Sequence, residues 1–361
     1  MIEFAGGGAK MAAMARPTRI SQTKLAKDLG VSQALISLVL NGRREGINAD
    51  TYKRIWDHAI SLGYQPKGMR LERSPRAARM RQVGFVLRSG LNIHTQGSYF
   101  NHVLHGLHSA LAERGYATVF LGSEDDLKPS RLRQLFHTGH GIQGLVMFGE
   151  VRGTFLQQLK RIEPRVVAVS ARHTGRCHSV LGNEPQALET IVQHLAKLGH
   201  TRIGWLGGNV GLGRHEARYQ AYLAALQTAG LTDDKRYAVF LKQGDRAEGT
   251  EAMLQLLPLR ARKDFPTAFI TYNLHMSIGA VQALLRAGLN VPGEVSIAAA
   301  DYSPLAQQEQ PRITAAGCEA EKLGQAAARL VLTATGETDE SFHDVILPSQ
   351  LYVGESTGPA R

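Results

Sequence analysis

At 361 residues, 43% hydrophobic and 20% charged, the chain is too long for one ordinary core and too apolar for a disordered one, so two or three folding units are expected. Its net charge of +11 is confined to one end: residues 1–82 carry 15 Lys plus Arg against 6 Asp plus Glu, and the remainder 27 against 25. Two cysteines, Cys177 and Cys318, exclude a disulfide framework or a CxxC metal or redox site, and no stretch has the length and apolarity of a signal peptide or membrane span, so a cytoplasmic protein without membrane contact is expected.

In chain order, residues 1–18 read as a disordered leader, with Met14 a natural alternative start. Residues 19–64 read as a small all-helical head. Ser21 caps a helix to Leu29 in which Leu25 and Leu29 share one face, Gly30 supplies the positive φ that ends it, and Ser32 caps a second helix, Gln33 to Asn41. That helix turns Ile36, Val39 and Leu40 inward and ends at Gly42. Asn48 caps a third, with Tyr52, Ile55, Trp56 and Ala59 at i, i+3, i+4 and i+7. The pattern is a helix-turn-helix whose second helix suits a major groove, and the basic charge around it fits a phosphate backbone.

Residues 65–82 form a basic hinge. From residue 83 the pattern alternates short apolar runs with amphipathic helices: Val83–Leu87, Ala117–Leu121, Gly144–Phe148, Val166–Val169, Ile203–Leu206, Val239–Leu241, Ala268–Thr271 and Ser296–Ala300. Strands alternating with helices imply α/β architecture with parallel sheets, and two sets of four imply two lobes that part near Gly182 to Pro185. Ligands in such sheets bind at strand carboxyl ends, so the cleft between the lobes is the expected site.

Two constellations are set aside. The run Gly207 to Gly213 follows a strand and precedes a helix, yet has neither GxGxxG spacing nor a Walker lysine. His102, His105 and His108, with His94 nearby, lack a carboxylate or cysteine to complete a metal site and read as a helix surface or dimer contact. No nucleophile elbow or HExxH motif is present. The expectation is no enzyme, no cofactor and no metal.

The residues Leu25-Ala26, Gly30-Val31-Ser32, Ile36-Ser37, Val39, Asn41, Gly63-Tyr64 and Pro66 resemble the headpiece of the lactose-repressor/galactose-repressor family. Gly199-His200, Arg218, Asn273, Val291-Pro292, Val295-Ser296, Asp301, Pro311 and Ile313-Thr314 extend the resemblance through the body. It implies a helix-turn-helix head followed by a periplasmic-binding-protein-like body at 83–361. One lobe would hold about 83–182 plus 314–345, the other about 183–313 plus the C-terminal segment, with crossovers near residues 149, 273 and 313.

The resemblance also implies a homodimeric transcription regulator, read as a repressor, on a palindromic double-stranded DNA operator, with a small effector such as a carbohydrate in the cleft. Gln33, Ala34 and Leu38 would face base edges, while Thr23, Lys24, Ser32, Ser37 and Asn41 would set register on phosphates. Lys67, Met69, Arg70 and Leu71 of the hinge would also touch DNA. Met69 or Leu71 would serve as the minor-groove wedge, since Arg73 stands where the family places a leucine. Arg88, Ser89, Arg218, Asn273 and Asp301 would contact the effector. Leu274 replaces the family's aspartate, and Ala298-Ala299-Ala300 replaces its glycine and aromatic, a change expected to widen the cleft or remove a stacking wall. Two other readings fit parts of the chain: control by a partner protein, and a soluble sugar-binding protein with no DNA role.

Overall fold

The computed structural model describes residues 21–41, 43, 46–61, 81–91, 93–137, 141–163, 165–334 and 341–361. The chain divides into two compact units, 1–66 and 67–361.

The first unit contains α1 (Gln22–Leu29), α2 (Gln33–Leu40) and α3 (Ala49–Ser61). Its capping is that expected from the sequence. Ser21 accepts from the Lys24 amide, Gly30 ends α1 at φ 65°, Ser32 accepts from the Leu35 amide, and Asn48 accepts from the Asp50 amide at 2.8 Å. Leu25, Ile36, Val39, Leu40, Tyr52, Ile55, Trp56 and Ala59 form one buried core, with Leu29 and Val31 packed against it. Losing the Ser32 cap leaves an N–H of a short helix unsatisfied, so Ser32→Ala is expected to cost about 1 kcal/mol. Faster amide hydrogen exchange across α2, with the body unchanged, is the result to look for.

The second unit has two six-stranded sheets. In lobe 1, β1 (Arg81–Leu87), β2 (Tyr116–Ser123), β3 (Ile142–Phe148), β4 (Val166–Val169), β5 (His178–Gly182) and β11 (Asp344–Leu347) pair in the order β11-β5-β4-β3-β1-β2, all parallel. In lobe 2, β6 (Ile203–Gly207), β7 (Ala238–Phe240), β8 (Ala268–Thr271), β9 (Ser296–Ala299), β10 (Thr314–Gly317) and β12 (Gln350–Tyr352) pair in the order β12-β10-β9-β8-β6-β7, parallel except for β12. The central strands are continuous apolar runs because helices cover both faces. In lobe 1 these are α4 (Ile93–Ala112), α5 (Pro129–His137), α6 (Gly153–Ile162) and α11 (Ala320–Thr333); in lobe 2, α7 (Glu184–Lys197), α8 (Gly213–Thr228), α9 (Arg246–Leu256) and α10 (Leu274–Arg286).

The expected crossovers need correction. The chain changes lobes between β5 and α7, between β10 and α11, and between β11 and β12. Residues 149 and 273 are strand ends within one lobe, and Thr314–Gly317 belongs to the lobe 2 sheet, so that passage lies past residue 317, not near 313. Four strands, β5, β10, β11 and β12, are additional to the eight expected.

Each lobe contains one helix crossing too close for side chains. A Cβ on Gly106 of α4 would lie 1.9 Å from the Glu321 carbonyl oxygen, and one on Gly324 of α11 1.9 Å from that of Val103. In lobe 2, Gly249 of α9 meets the Met276 carbonyl oxygen at 2.2 Å and Gly279 of α10 that of Arg246 at 2.0 Å. Backbone therefore touches backbone at both crossings.

Candidate functional site

Both sheets have a topological switch point, between β1 and β3 in lobe 1 and between β6 and β8 in lobe 2. Chains diverging from such a point leave a crevice at the strand carboxyl ends. The two crevices face each other across a narrow cleft whose cavity is about 60 Å³. Arg88 follows β1, Glu150 follows β3 and Ser170 follows β4; across the cleft stand Asn209 after β6, Asn273 after β8 and Asp301 after β9. Ser170 and Asn209 take φ of 58° and 56°, a left-handed backbone uncommon for non-glycine residues, though asparagine adopts it more readily than most.

Hydrogen bonds cross the cleft from lobe to lobe. Arg88 Nη2 donates to Asn209 Oδ1 at 3.0 Å, and the Gly213 amide donates to Glu150 Oε2 at 2.7 Å. The second contact sets a carboxylate on the first turn of α8, where unpaired N–H groups and the helix dipole favour negative charge. Arg214, the next residue, places its guanidinium 5.3 Å from the Tyr99 ring centroid and donates to Glu184 at 2.8 Å.

Behind the cleft wall lies a buried ionic network. The Arg218 side chain, 1% exposed, donates to Glu184 and to the Tyr272 carbonyl oxygen and lies 3.7 Å from Asp301. Burial pushes the Glu184 carboxyl up, but the Arg214 and Arg218 guanidinium groups outweigh it and hold its pKa below the ordinary glutamate value. Burial likewise lowers the His275 imidazole, which favours its neutral form.

Of the residues expected to hold an effector, Arg88, Arg218, Asn273 and Asp301 line this cleft. Ser89 does not: its hydroxyl donates to Asp125 at 2.8 Å and its amide to Glu124. Three of the four are already engaged inside lobe 2. Asn273 caps α10 through the Met276 amide and donates to the Gly244 carbonyl at 2.6 Å, Asp301 accepts from the Leu274 amide at 2.7 Å, and Arg218 is bound as described. Their first role is to build the lobe 2 wall.

Ala298, Ala299 and Ala300 are buried in the lobe 2 core, and Ala300 also lines a small recess with Tyr99, Arg214, Arg218 and Asp301. Leu274 is buried as well. The aromatic walls are Tyr99, Phe100 and Tyr272, which sequence reasoning did not pick out. Arg214 was also missed, although its place four residues before Arg218 puts both on one face of α8. His102 and His105 are buried on α4, His105 lying 3.3 Å from Glu321, and so do not form a helix surface.

In the head, Thr23, Lys24, Ser32, Gln33, Ala34, Leu38 and Asn41 are exposed, while Ser37 is half-buried and accepts from Asn41 at 3.3 Å. Leu38 stays 41% exposed beside the fully buried Ile36 and Val39, so an apolar side chain sits on the outer face of α2. The proposed hinge contacts Lys67, Met69, Arg70 and Leu71 lie outside the described residues, as does the leader.

Residues 192–357 match the model of a periplasmic binding protein-like domain. A solved LacI family transcriptional regulator from Mycobacterium smegmatis superposes with a TM-score of 0.66 at 22% identity, covering 77% of this chain and all of that one. The resemblance also runs through the head. The transcriptional repressor PurR of Aliivibrio salmonicida is 25% identical over 316 residues, 85% of this chain and 90% of its own. Catabolite control protein A of Priestia megaterium is 26% identical over 339 residues, 92% of this chain and 98% of its own. Over most of its length the chain resembles repressors of the lactose-repressor/galactose-repressor family. Like those proteins, it combines a small helical unit with a two-lobed α/β body. Among the described residues no helix is long and apolar enough to cross a membrane.

Proposed function

We propose that the protein is a homodimeric repressor that binds a roughly palindromic DNA operator through its heads and a small effector in the cleft between its lobes. The carrying observation is the outer face of α2, where Gln33, Ala34 and Leu38 stand exposed over a core formed by Ile36, Val39 and Leu40. Gln33 offers a paired donor and acceptor suited to adenine, while Ala34 and Leu38 offer only apolar contact, best met by thymine methyls. Thr23, Lys24, Ser37 and Asn41 position the head on phosphates. The Ser32 hydroxyl, whose oxygen accepts from the Leu35 amide, keeps its own proton free to donate to one.

A single head of this size makes few base contacts, and two-fold pairing matches two half-sites. Arg88 and the aromatic walls Tyr99, Phe100 and Tyr272 suit a polyhydroxylated or anionic effector, and Asn273, Asp301 and Arg218 hold the wall it meets. An effector can change operator affinity only by its differential affinity for two lobe arrangements, typically about 1–3 kcal/mol of coupling. The hinge residues Lys67, Met69, Arg70 and Leu71 carry that coupling to the DNA in this reading.

The test is operator selection from random duplexes with the full chain, repeated with candidate metabolites. A two-fold site with A·T pairs opposite Ala34 and Leu38 is expected, and Gln33→Ala should relax selection at one base pair per half-site at a cost of about 1–3 kcal/mol. Binding without sequence preference, or invariant G opposite Ala34 and Leu38, overturns the reading.

A further inference from the structure

A second space opens where the chain passes between the lobes, on segments that the effector cleft does not use. It holds a cavity of about 290 Å³, at the lower end of the range of small-molecule sites. Glu319 enters it from the connection between β10 and α11, Leu347 from the end of β11, Pro348 from the turn that follows, and Tyr352 from β12. Both lobes therefore contribute walls.

One wall is a row of donors. Lys322, Gln325 and Arg329 stand at i, i+3 and i+7 along α11, a spacing that aligns them on one helix face. Lys322 is matched by Glu319 at 3.1 Å, whereas Arg329 has no carboxylate within ion-pair distance among the described residues. The rest of the lining is largely apolar, with Gln350 among it. Its apolar part is Leu347, Pro348 and the Tyr352 ring, which stacks on Tyr302 with centroids 3.5 Å apart and planes within 8°. A row of long polar side chains is ordinarily a solvated helix face, but here it borders a recess with an apolar wall in front of it.

The floor is built without slack. A Cβ on Gly317 would come within 2.8 Å of the Tyr302 amide nitrogen and 3.1 Å of the Asp301 Cα. Gly317 and Cys318 thus separate this recess from the strand end that supplies Asp301 to the cleft.

We propose that the recess is a second ligand site, taking a small organic anion with a flat apolar body. The anionic group pairs with Arg329 beside Lys322, and the body lies against Leu347, Pro348 and Tyr352. A carboxylate or phosphate ester on an aromatic ring has this chemistry.

Titration calorimetry of the full-length protein with phenyl phosphate tests it, with phenol and inorganic phosphate each supplying only one half of the ligand. Saturable binding of phenyl phosphate is expected, at least about tenfold tighter than either half. Arg329→Gln, a change at an exposed position, should weaken it by about tenfold, the scale of one lost charged hydrogen bond. Leu347→Trp, which fills the recess, should abolish it; if that variant does not fold, Arg329→Gln decides alone. No saturable binding to the wild type, or binding indifferent to Arg329→Gln, overturns the proposal. So does binding lost on Arg88→Gln and kept on Arg329→Gln, because the anion would then sit in the effector cleft.

Discussion

Replacing Arg218 with methionine is expected to lower the stability of the two-lobed body by about 3–5 kcal/mol, the usual cost of removing one partner from a buried ion pair. Methionine matches much of the arginine stem, so the loss is one of charge and not of volume. Glu184 would keep Arg214, but the Tyr272 carbonyl would lose its donor and Asp301 the guanidinium 3.7 Å away. Urea unfolding should show a lower midpoint with an unchanged slope. A shift below about 1 kcal/mol would mean that the network contributes little beyond geometry.

The same network fixes the sign of a pH effect. A carboxyl whose folded pKa is depressed stabilises the fold above its unfolded value and loses that contribution as pH falls through the folded one. The stability gap between wild type and Glu184→Gln should therefore be widest above about pH 4.3, the ordinary glutamate value, and narrow as the solution is acidified further. A gap that widened towards low pH would contradict the depressed Glu184 pKa.

Gly324→Ala is expected to destabilise the protein by about 1–3 kcal/mol even though alanine is the better helix former by about 1 kcal/mol. The two expectations have opposite signs, which makes the measurement decisive. At the α4–α11 crossing the new methyl would lie 1.9 Å from the Val103 carbonyl oxygen, and that obstacle is backbone, which cannot rotate away. Gly279→Ala should do the same in lobe 2 against the Arg246 carbonyl. Stabilisation in thermal melts of either variant would show that the crossing opens at little cost.

What could be read in the sequence follows from burial. Val166–Val169 and Ala268–Thr271 are central strands covered on both faces, so each is a short apolar run with boundaries equal to those expected. The strands β11 and β12 lie at sheet edges and are partly exposed, and β10 reads Thr-Ala-Ala-Gly, with Thr314 its one branched side chain and no aromatic to mark a strand. The head was legible almost residue by residue because caps, turn and apolar spacing are all local. The cleft was legible only in outline. Arg218, Asn273 and Asp301 could be placed near strand ends, but their engagement with Glu184, Gly244 and Leu274 depends on contacts between distant segments.

The three passages between the lobes also set an order of assembly during synthesis. Lobe 1 begins with β1 but takes α11 and β11 from near the end of the chain, after all of lobe 2 except β12 has been made. At the ribosome's pace of about 5–20 residues per second, the apolar face of α4 and β3 waits on the order of ten seconds for the helix that covers it. Neither lobe can be completed by the nascent chain alone before that point, and no single cut at a passage releases one lobe from the other. Slow cotranslational burial of the α4 face, and a corresponding need for protection of that face, follow from the threading of the chain.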